Sequence, residues 1–163
     1  TVEECQSKLL QEGIETESVA GVPFALTLKK RVNVFSLNTF RDGLFELQDA
    51  GSQLLPIMID PKPTAKVLDA CAGAGGKTLE FAALMKNRGE IVATDVNKYR
   101  IEELKKRARR AGAFNIRPKH IDSLEDLEQD YAEYFRNIIE VDKNITVGSN
   151  EASLSIFPIG VVV

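Results

Sequence analysis

One strand, loop and helix segment constrains the fold of this chain more than any other feature. Residues 67–78 read VLDACAGAGGKT, which is an apolar strand, an acidic residue, a glycine-rich turn and the start of a helix. Three glycines let the backbone bend tightly, and they let a ligand approach its N–H groups without meeting a Cβ atom. The helix N-terminus adds partial positive charge that suits a carboxylate or phosphate. The segment therefore predicts a ligand-binding loop between a strand and a helix.

A second strand strengthens this prediction. Residues 90–94 (EIVAT) run into Asp95, which lies 19 residues after Gly76. An acidic residue at the end of the second strand commonly binds the hydroxyls of a ribose. A glycine turn that binds nothing does not need such a residue. The loop and Asp95 together predict a cofactor that contains a nucleoside.

Three cofactor templates compete for this loop. A dinucleotide fingerprint, G-x-G-x-x-G, needs glycine where the chain has Thr78. A Walker A loop finds its G-K-T end at residues 76–78, but its first glycine is replaced by Cys71. The third template, found in S-adenosylmethionine (SAM) enzymes, is an acidic residue followed by alternating glycines. Asp69 and the loop meet it, and Asp95 supplies its ribose-binding residue.

The same loop resembles the first motif of the RNA cytosine-5 methyltransferases of the Sun/NOL1/NOP2 family. Residues 48–52 (QDAGS) resemble the Q-D-x-x-S lead-in of that family, and Asp95, Arg100 and the turn at residues 110–112 fall where the family has them. The resemblance covers about residues 1–123, with bacterial ribosomal RNA methyltransferases as the nearest relatives. It implies an α/β fold, with the Rossmann-like sheet of class I SAM-dependent methyltransferases. It also implies S-adenosyl-L-methionine as cofactor and RNA, ribosomal RNA in particular, as partner.

The resemblance also implies roles for individual side chains. Lys77 pairs with the carboxylate of the methionine part, and Asp69 accepts from its ammonium group or orients the loop. Asp95 binds the ribose and Asp122 the adenine amine. Arg100 matches a family arginine near the nucleoside, with a plain surface charge as the alternative. The predicted cofactor-binding residues are Asp69, Cys71, Ala72, Gly73, Ala74, Gly75, Gly76, Lys77, Asp95, Arg100, Asp122 and Asp142.

The catalytic cysteine that the resemblance requires is missing from its expected places. Methylation of cytosine carbon 5 needs a thiolate that adds at carbon 6. The family carries this cysteine in a Thr-Cys motif, and a second one in D-A-P-C after strand four. Here Asp142 takes the place of the D, and residues 143–145 (KNI) replace A-P-C. Cys71 is interpreted as a small buried hydrophobe, so no catalytic residue is assigned.

We therefore expect the chain to bind SAM without methylating cytosine. A fragment or altered form of a methyltransferase is the favoured interpretation, since residues 159–163 (IGVVV) are an abrupt apolar end. A non-catalytic SAM- and RNA-binding module is the alternative, and a magnesium-dependent nucleotide enzyme is a third reading.

Composition fits a soluble globular protein of 163 residues, with 44% apolar and 28% charged residues. No apolar run approaches a membrane span, and no signal peptide pattern opens the chain. Two cysteines are too few for a disulfide framework, which predicts a cytoplasmic location. One histidine and two scattered cysteines predict no structural metal site. Nine Lys and Arg residues within residues 98–120 indicate either a phosphate-facing surface or a solvated helix face.

Hydrophobic periodicity divides the chain into two parts. Residues 1–45 are predicted to form a small α+β lead-in subdomain, with a helix at 2–12 capped by Thr1 and two strands. By resemblance this part is an RNA-recognition appendage. Residues 46–163 are predicted to form the SAM-binding domain, with a βαβαβ order that gives a parallel sheet. The predicted segments of that domain are helices at 49–59, 77–87 and 98–111, strands at 66–70, 90–95, 115–121 and 137–142, and β segments after 145. The helix at 77–87 is predicted to turn Phe81, Leu84 and Met85 toward the sheet. The helix at 98–111 is predicted to turn Ile101, Leu104 and Ala108 inward and its arginines and lysines outward.

Overall fold

The computed structural model describes residues 1–123 and Asp126. The elements of its N-terminal part are α1 (Val2–Gln11), β1 (Thr16–Ser18), β2 (Leu26–Leu28), a 3-10 turn (Val34–Ser36) and α2 (Asn38–Arg41). The elements that follow are α3 (Ala50–Ile59), β3 (Lys66–Asp69), α4 (Gly76–Leu84), β4 (Glu90–Asp95), α5 (Lys98–Arg110) and β5 (Ile116–His120). The predicted strand at 137–142, the β segments after 145 and the predicted site residue Asp142 lie outside the described residues.

The N-terminal elements follow the predicted order. Thr1 caps α1, with its hydroxyl oxygen accepting from the Glu4 backbone N–H at 3.1 Å. Strands β1 and β2 pair antiparallel, with Thr16 opposite Leu28. They are shorter than the strands predicted at 14–19 and 24–30, and a turn in which the N–H of Val22 donates to the carbonyl of Val19 lies between them. These elements share one apolar core, formed by Cys5, Leu9, Leu26, Val34, Leu37, Phe40 and Phe45.

The second part is the predicted parallel βαβαβ unit. The strand order is β3-β4-β5, and both neighbouring pairs are parallel, with Val67 opposite Ile91 and Ile91 opposite Ile116. Strand β4 is central, so every residue from Ile91 to Asp95 is buried. Helices α4 and α5 bury their predicted apolar stripes. These include Phe81 on α4 with Met85 at its C-cap, and Ile101, Leu104 and Ala108 on α5. All three strands therefore end at the same edge of the sheet.

Helix α3 explains the Q-D-x-x-S lead-in physically. Asp49 caps the helix, since its carboxylate accepts from the Ser52 backbone N–H at 3.1 Å. The side-chain amide of Gln48 donates instead to Glu80 on α4, at 3.2 Å. Helix α3 packs against α4. The motif thus starts one helix and ties it to the helix that follows the glycine loop.

One prediction about α5 was wrong. Its arginines were expected to point outward, yet Arg107 and Arg110 both pair with Glu46 and are only 14% and 22% exposed. The guanidinium of Arg110 also lies 4.0 Å from the ring centre of Phe40 in the N-terminal core. Helical periodicity placed these residues at the margin of the apolar stripe, where a neighbouring segment can cover them. Two of the nine Lys and Arg residues within residues 98–120 (the basic block) therefore lie at the junction between the N-terminal elements and the sheet.

Candidate cofactor site

The glycine-rich loop joins the end of β3 to the start of α4. Gly73 and Gly75 have positive φ angles of +55° and +87°, which side chains rarely adopt. A Cβ at Gly75 would lie 2.5 Å from Cγ of Leu104, so helix α5 packs directly on this glycine. A Cβ at Gly73 would meet nothing within 4 Å. The loop is thus packed against the protein at Gly75 and open to an approaching ligand at Gly73.

Asp95 holds this loop in place from the end of β4. Its Oδ2 accepts a hydrogen bond from the backbone N–H of Gly73 at 2.8 Å, and its Oδ1 accepts from the N–H of Asn97 at 2.7 Å. The residue is only 6% exposed. Because each carboxylate oxygen has two lone pairs, both oxygens keep capacity for a further donor such as a ribose hydroxyl. The predicted ribose-binding residue therefore also shapes the loop.

Asp69 and Thr78 close the loop from the other side. The hydroxyl of Thr78 donates to Oδ2 of Asp69 at 2.7 Å, and Thr78 is fully buried. Burial raises the pKa of Asp69, while the Thr78 hydrogen bond and the Lys77 charge act in the opposite direction. This geometry supports the loop-orienting role for Asp69. It also argues against a Walker A loop, whose threonine hydroxyl must be available to a magnesium ion.

Lys77 and Cys71 also lie at this site. Burial lowers the pKa of Lys77, and the carboxylates of Asp69 and Glu80 partly oppose that change. Burial raises the pKa of Cys71, and the charges of Asp95 and Asp69 raise it further. A raised thiol pKa reduces the thiolate fraction at neutral pH. Cys71 is therefore a poor nucleophile in this surrounding. The prediction that its side chain is buried was wrong, because Cys71 is only half-buried.

The more distant predicted residues are less closely connected to the loop. Arg100 lies in the first turn of α5 with an exposed side chain. Asp122 follows β5 at the same edge of the sheet, and its side chain is 94% exposed, 3.8 Å from Nδ1 of His120. Within residues 1–123 neither side chain forms a hydrogen bond to the glycine loop. Asp69 and Asp95 are thus connected to the two ends of the loop through their hydrogen bonds with Thr78 and Gly73. Arg100 and Asp122 lie at the margin of the site.

Sequence reasoning missed Arg107, which contacts the glycine loop, and Glu46, which holds Arg107 in place. Arg107 donates through Nη1 to the carbonyl oxygen of Ala74 at 3.0 Å, and Glu46 accepts from the same guanidinium. Glu46 lies 61 residues earlier in the chain. No local spacing links two positions so far apart, so the sequence carried no signal for this contact.

The basic block presents a smaller exposed cationic surface than its composition suggested. Lys105 and Lys106 pair with Glu102 and Glu103 on the same helix, while the two junction arginines are largely covered. Three further exposed cations of α5 are Lys98, Arg100 and Arg109. In the described part of the chain no helix is long and apolar enough to cross a membrane. In the same residues no three His, Cys, Asp or Glu side chains form a group that could hold a metal ion.

A parallel βαβαβ sheet, with a glycine loop held by the acid that ends its second strand, defines the Rossmann-like fold of SAM-dependent methyltransferases. The chain belongs to the family described as 16S rRNA methyltransferase RsmB/F, whose match covers residues 56–144. This match extends past residue 123, where the sequence-based resemblance ended, and it includes the position of Asp142.

Individual relatives agree with this assignment. The chain is 33% identical over 136 residues to a probable ribosomal RNA small subunit methyltransferase B of Bacillus subtilis, covering 83% of the chain and 30% of that protein. It is 31% identical over 110 residues to a tRNA (cytosine(72)-C(5))-methyltransferase of Pyrococcus horikoshii, covering 66% of the chain and 28% of that protein. The chain thus spans less than a third of the length of these curated relatives.

Solved structures give the same fold. A methyltransferase homologue from Pyrococcus horikoshii superposes with a TM-score of 0.69 at 31% identity, over 82% of this chain and 43% of that one. The structure of NSun6 from Pyrococcus horikoshii with SFG superposes with a TM-score of 0.53 at 29% identity, over 64% of this chain and 28% of that one.

Proposed function

We propose that this chain binds S-adenosyl-L-methionine in the cleft above its glycine loop. The observation that carries the proposal is the pair of hydrogen bonds that Asp95 accepts. The bond from the Gly73 N–H fixes the glycine loop, the bond from the Asn97 N–H fixes the carboxylate, and both oxygens keep lone pairs for a ribose. The open space beside Gly73 is where a ligand can meet the backbone closely. When bound, the cofactor supplies an electrophilic methyl group.

Several side chains of this chain would each contact a different part of the cofactor. Asp95 accepts from the ribose hydroxyls, and Lys77 pairs with the methionine carboxylate at the start of α4, where the helix dipole also favours negative charge. Asp69 keeps the loop oriented through Thr78. The remaining proposed contacts, carried by the family resemblance, are Cys71, Ala72, Gly73, Ala74, Gly75, Gly76, Arg100, Asp122 and Asp142.

We further propose that the methyl acceptor in this family context is carbon 5 of a cytosine in RNA. Family membership supports this reaction, and relatives are named as acting on both ribosomal and transfer RNA. Ribosomal RNA is our proposed substrate because the family description and the Bacillus subtilis relative both specify it. In this proposal residues 1–45 form the RNA-recognition subdomain, residues 46–163 form the SAM-binding domain, and the location is cytoplasmic.

The chain's two cysteines set a limit on its chemistry. Attack on carbon 6 of cytosine requires a thiolate next to the substrate. Burial raises the pKa of Cys5, which lies in the N-terminal core, and burial raises that of Cys71. Neither thiol is suited to this step. We therefore propose that the 163-residue chain alone binds SAM and does not methylate RNA.

Calorimetric titration with SAM tests the binding proposal. We expect the wild-type chain to bind and Asp95→Asn to lose at least about tenfold in affinity, since hydrogen bonds to a charged acceptor contribute about 1.5–3 kcal/mol. Asp60→Asn, at an exposed helix end, is the matched control and should bind like the wild type. Thermal unfolding of each variant reports whether the fold is intact. A wild-type chain that is folded and does not bind SAM would refute the proposal.

A methyl-transfer assay tests the proposed limit. Labelled SAM and ribosomal RNA are incubated with the chain alone, and methylcytosine is quantified. We expect no transfer above background. Robust labelling of cytosine that disappears in Cys71→Ser would show that Cys71 acts as the nucleophile and would contradict our reading of its surroundings.

A further inference from the structure

Arg107 on α5 contacts both the cofactor loop and the segment that leads into α3. Its Nη1 donates to the carbonyl oxygen of Ala74 at 3.0 Å, and its Nε donates to Oε2 of Glu46 at 3.1 Å. Its Nη2 lies 3.0 Å from the same Glu46 oxygen. The side chains of Arg107 and Glu46 are only 14% and 12% exposed. Solvent therefore screens this pair weakly.

The contact reaches the loop at the peptide unit between its two positive-φ glycines. The carbonyl of Ala74 is held by Arg107, and the N–H of the same peptide, that of Gly75, donates to the carbonyl of Ala72 at 2.8 Å. The Gly73 N–H is held separately by Asp95. With both ends of the 74–75 peptide bonded, its plane cannot rotate without breaking a hydrogen bond. Gly73 and Gly75 on either side resist this rotation only weakly, because glycine has the widest conformational freedom.

Arg110 provides an internal comparison. It also pairs with Glu46, and its guanidinium lies 4.0 Å from the ring centre of Phe40. It makes no hydrogen bond to the glycine loop among the described residues. Arg107 and Arg110 therefore share the junction and its ion pair, and they differ in the contact to Ala74.

We propose that Arg107 is a positioning residue. It holds the glycine loop in the conformation that binds the ligand, and it couples that conformation to the position of Glu46. The inference rests on the proposed SAM site and adds a residue that links it to the N-terminal elements. Arginine suits this task because its planar fork presents several donors in fixed directions. Lysine carries the same charge as a single point, so it cannot reproduce the fork that joins Glu46 to Ala74.

Two measurements on the 163-residue chain test this inference. The first is amide hydrogen exchange of residues 73–76 without any ligand, which reports the order of the loop directly. We expect Arg107→Met to raise the exchange rate of these amides about tenfold and Arg107→Lys to raise it less. Arg110→Met should leave loop exchange within about twofold of wild type, even where both methionine variants lower the unfolding midpoint similarly.

The second measurement is the affinity for SAM by calorimetry. We expect Arg107→Met to weaken binding about tenfold and Arg110→Met to weaken it less than threefold, since losing one charge-assisted hydrogen bond at the loop has about that effect. If Arg110→Met raises loop exchange and weakens SAM as much as Arg107→Met, the effect belongs to the junction as a whole and the inference is overturned. Arg107→Lys keeps the native charge, and the inference is also overturned if this variant raises the exchange rate of the loop amides more than Arg107→Met does. It is overturned as well if the loop amides of both variants exchange at the wild-type rate.

Failure of the proposed function is distinguishable from failure of this inference. If the wild-type chain does not bind SAM while Arg107→Met selectively loosens residues 73–76, the SAM site is refuted and the positioning role of Arg107 is supported. If SAM binds normally to every variant and loop exchange is unchanged, the SAM site stands and the positioning role is refuted.

Discussion

Glu80 offers the sharpest test of the electrostatics of this fold. It lies on α4, facing a cavity of about 380 Å³ between the N-terminal elements and α4. One of its oxygens accepts from Gln48 at 3.2 Å, and the other is buried with no hydrogen-bond partner among the described residues. Burial raises the pKa of Glu80 from 4.5 to about 8, although Gln48 and Lys77 favour the charged form. The perturbation is Glu80→Gln, which keeps the shape and removes the titration.

The sign of the effect follows from linkage between protonation and folding. The folded chain binds a proton at Glu80 more tightly than the unfolded chain, so this group's stabilisation is complete below pH 4.5 and is lost as pH rises to about 8. A rise in pKa from 4.5 to about 8 corresponds to about 5 kcal/mol in the free energy of unfolding when no solvent screens the carboxylate. Because solvent partly reaches and screens this carboxylate, we expect about 2 kcal/mol. Glu80→Gln should therefore gain about 2 kcal/mol over the wild type between pH 4.5 and pH 8.

Urea unfolding at half-unit steps from pH 4.5 to pH 8.5 measures this difference. The unfolding free energies of the wild type and Glu80→Gln are subtracted at each pH, which cancels the titration of all other groups. Glu103→Gln, on the exposed face of α5, is the matched control for removing a carboxylate. A wild-type minus Glu80→Gln difference that stays constant across this range would refute the reasoning, since it would mean that Glu80 ionises in the folded chain as it does in the unfolded one.

Three further predictions concern the loop. Gly75→Ala should lower the unfolding free energy by about 2–3 kcal/mol in urea, because its Cβ would meet Leu104 at 2.5 Å with φ at +87°; an unchanged midpoint would contradict the packing. Thr78→Val should cost about 1–3 kcal/mol by the same assay, with Thr78→Ser as control, since it leaves the half-buried Asp69 without its 2.7 Å donor. Cys71→Ser should keep its SAM affinity within about threefold by calorimetry, and complete loss of binding would contradict the passive role of Cys71.

Much of the central unit could be predicted from local sequence. The strand, loop and helix order around residues 67–78 was correct because glycines, apolar runs and caps act over short distances. Asp95 was placed correctly at the end of β4, and its hydrogen bond to Gly73 shows why an acid at that position matters. The cap of α3 by Asp49 is equally local. In these cases the interacting groups are close in the chain or lie at the ends of adjacent parallel strands.

Other features depend on contacts that no local pattern encodes. The outward assignment of Arg107 and Arg110 failed because helical periodicity separates apolar from polar faces and does not say which polar residues a distant segment covers. Glu46 reaches both arginines across more than 60 residues. The half-buried position of Glu80 has the same origin, since the cavity beside it forms only when the N-terminal elements pack against α4.

Local sequence patterns therefore specify the parallel sheet, the glycine loop and the acid at the end of the second strand, because backbone geometry and hydrophobic periodicity are local properties. The packing of distant elements sets how the loop is held, which cations remain exposed, and which carboxylates have a raised pKa. Those outcomes depend on desolvation and on charge pairs between residues far apart in the chain, and both arise only when separate elements come together.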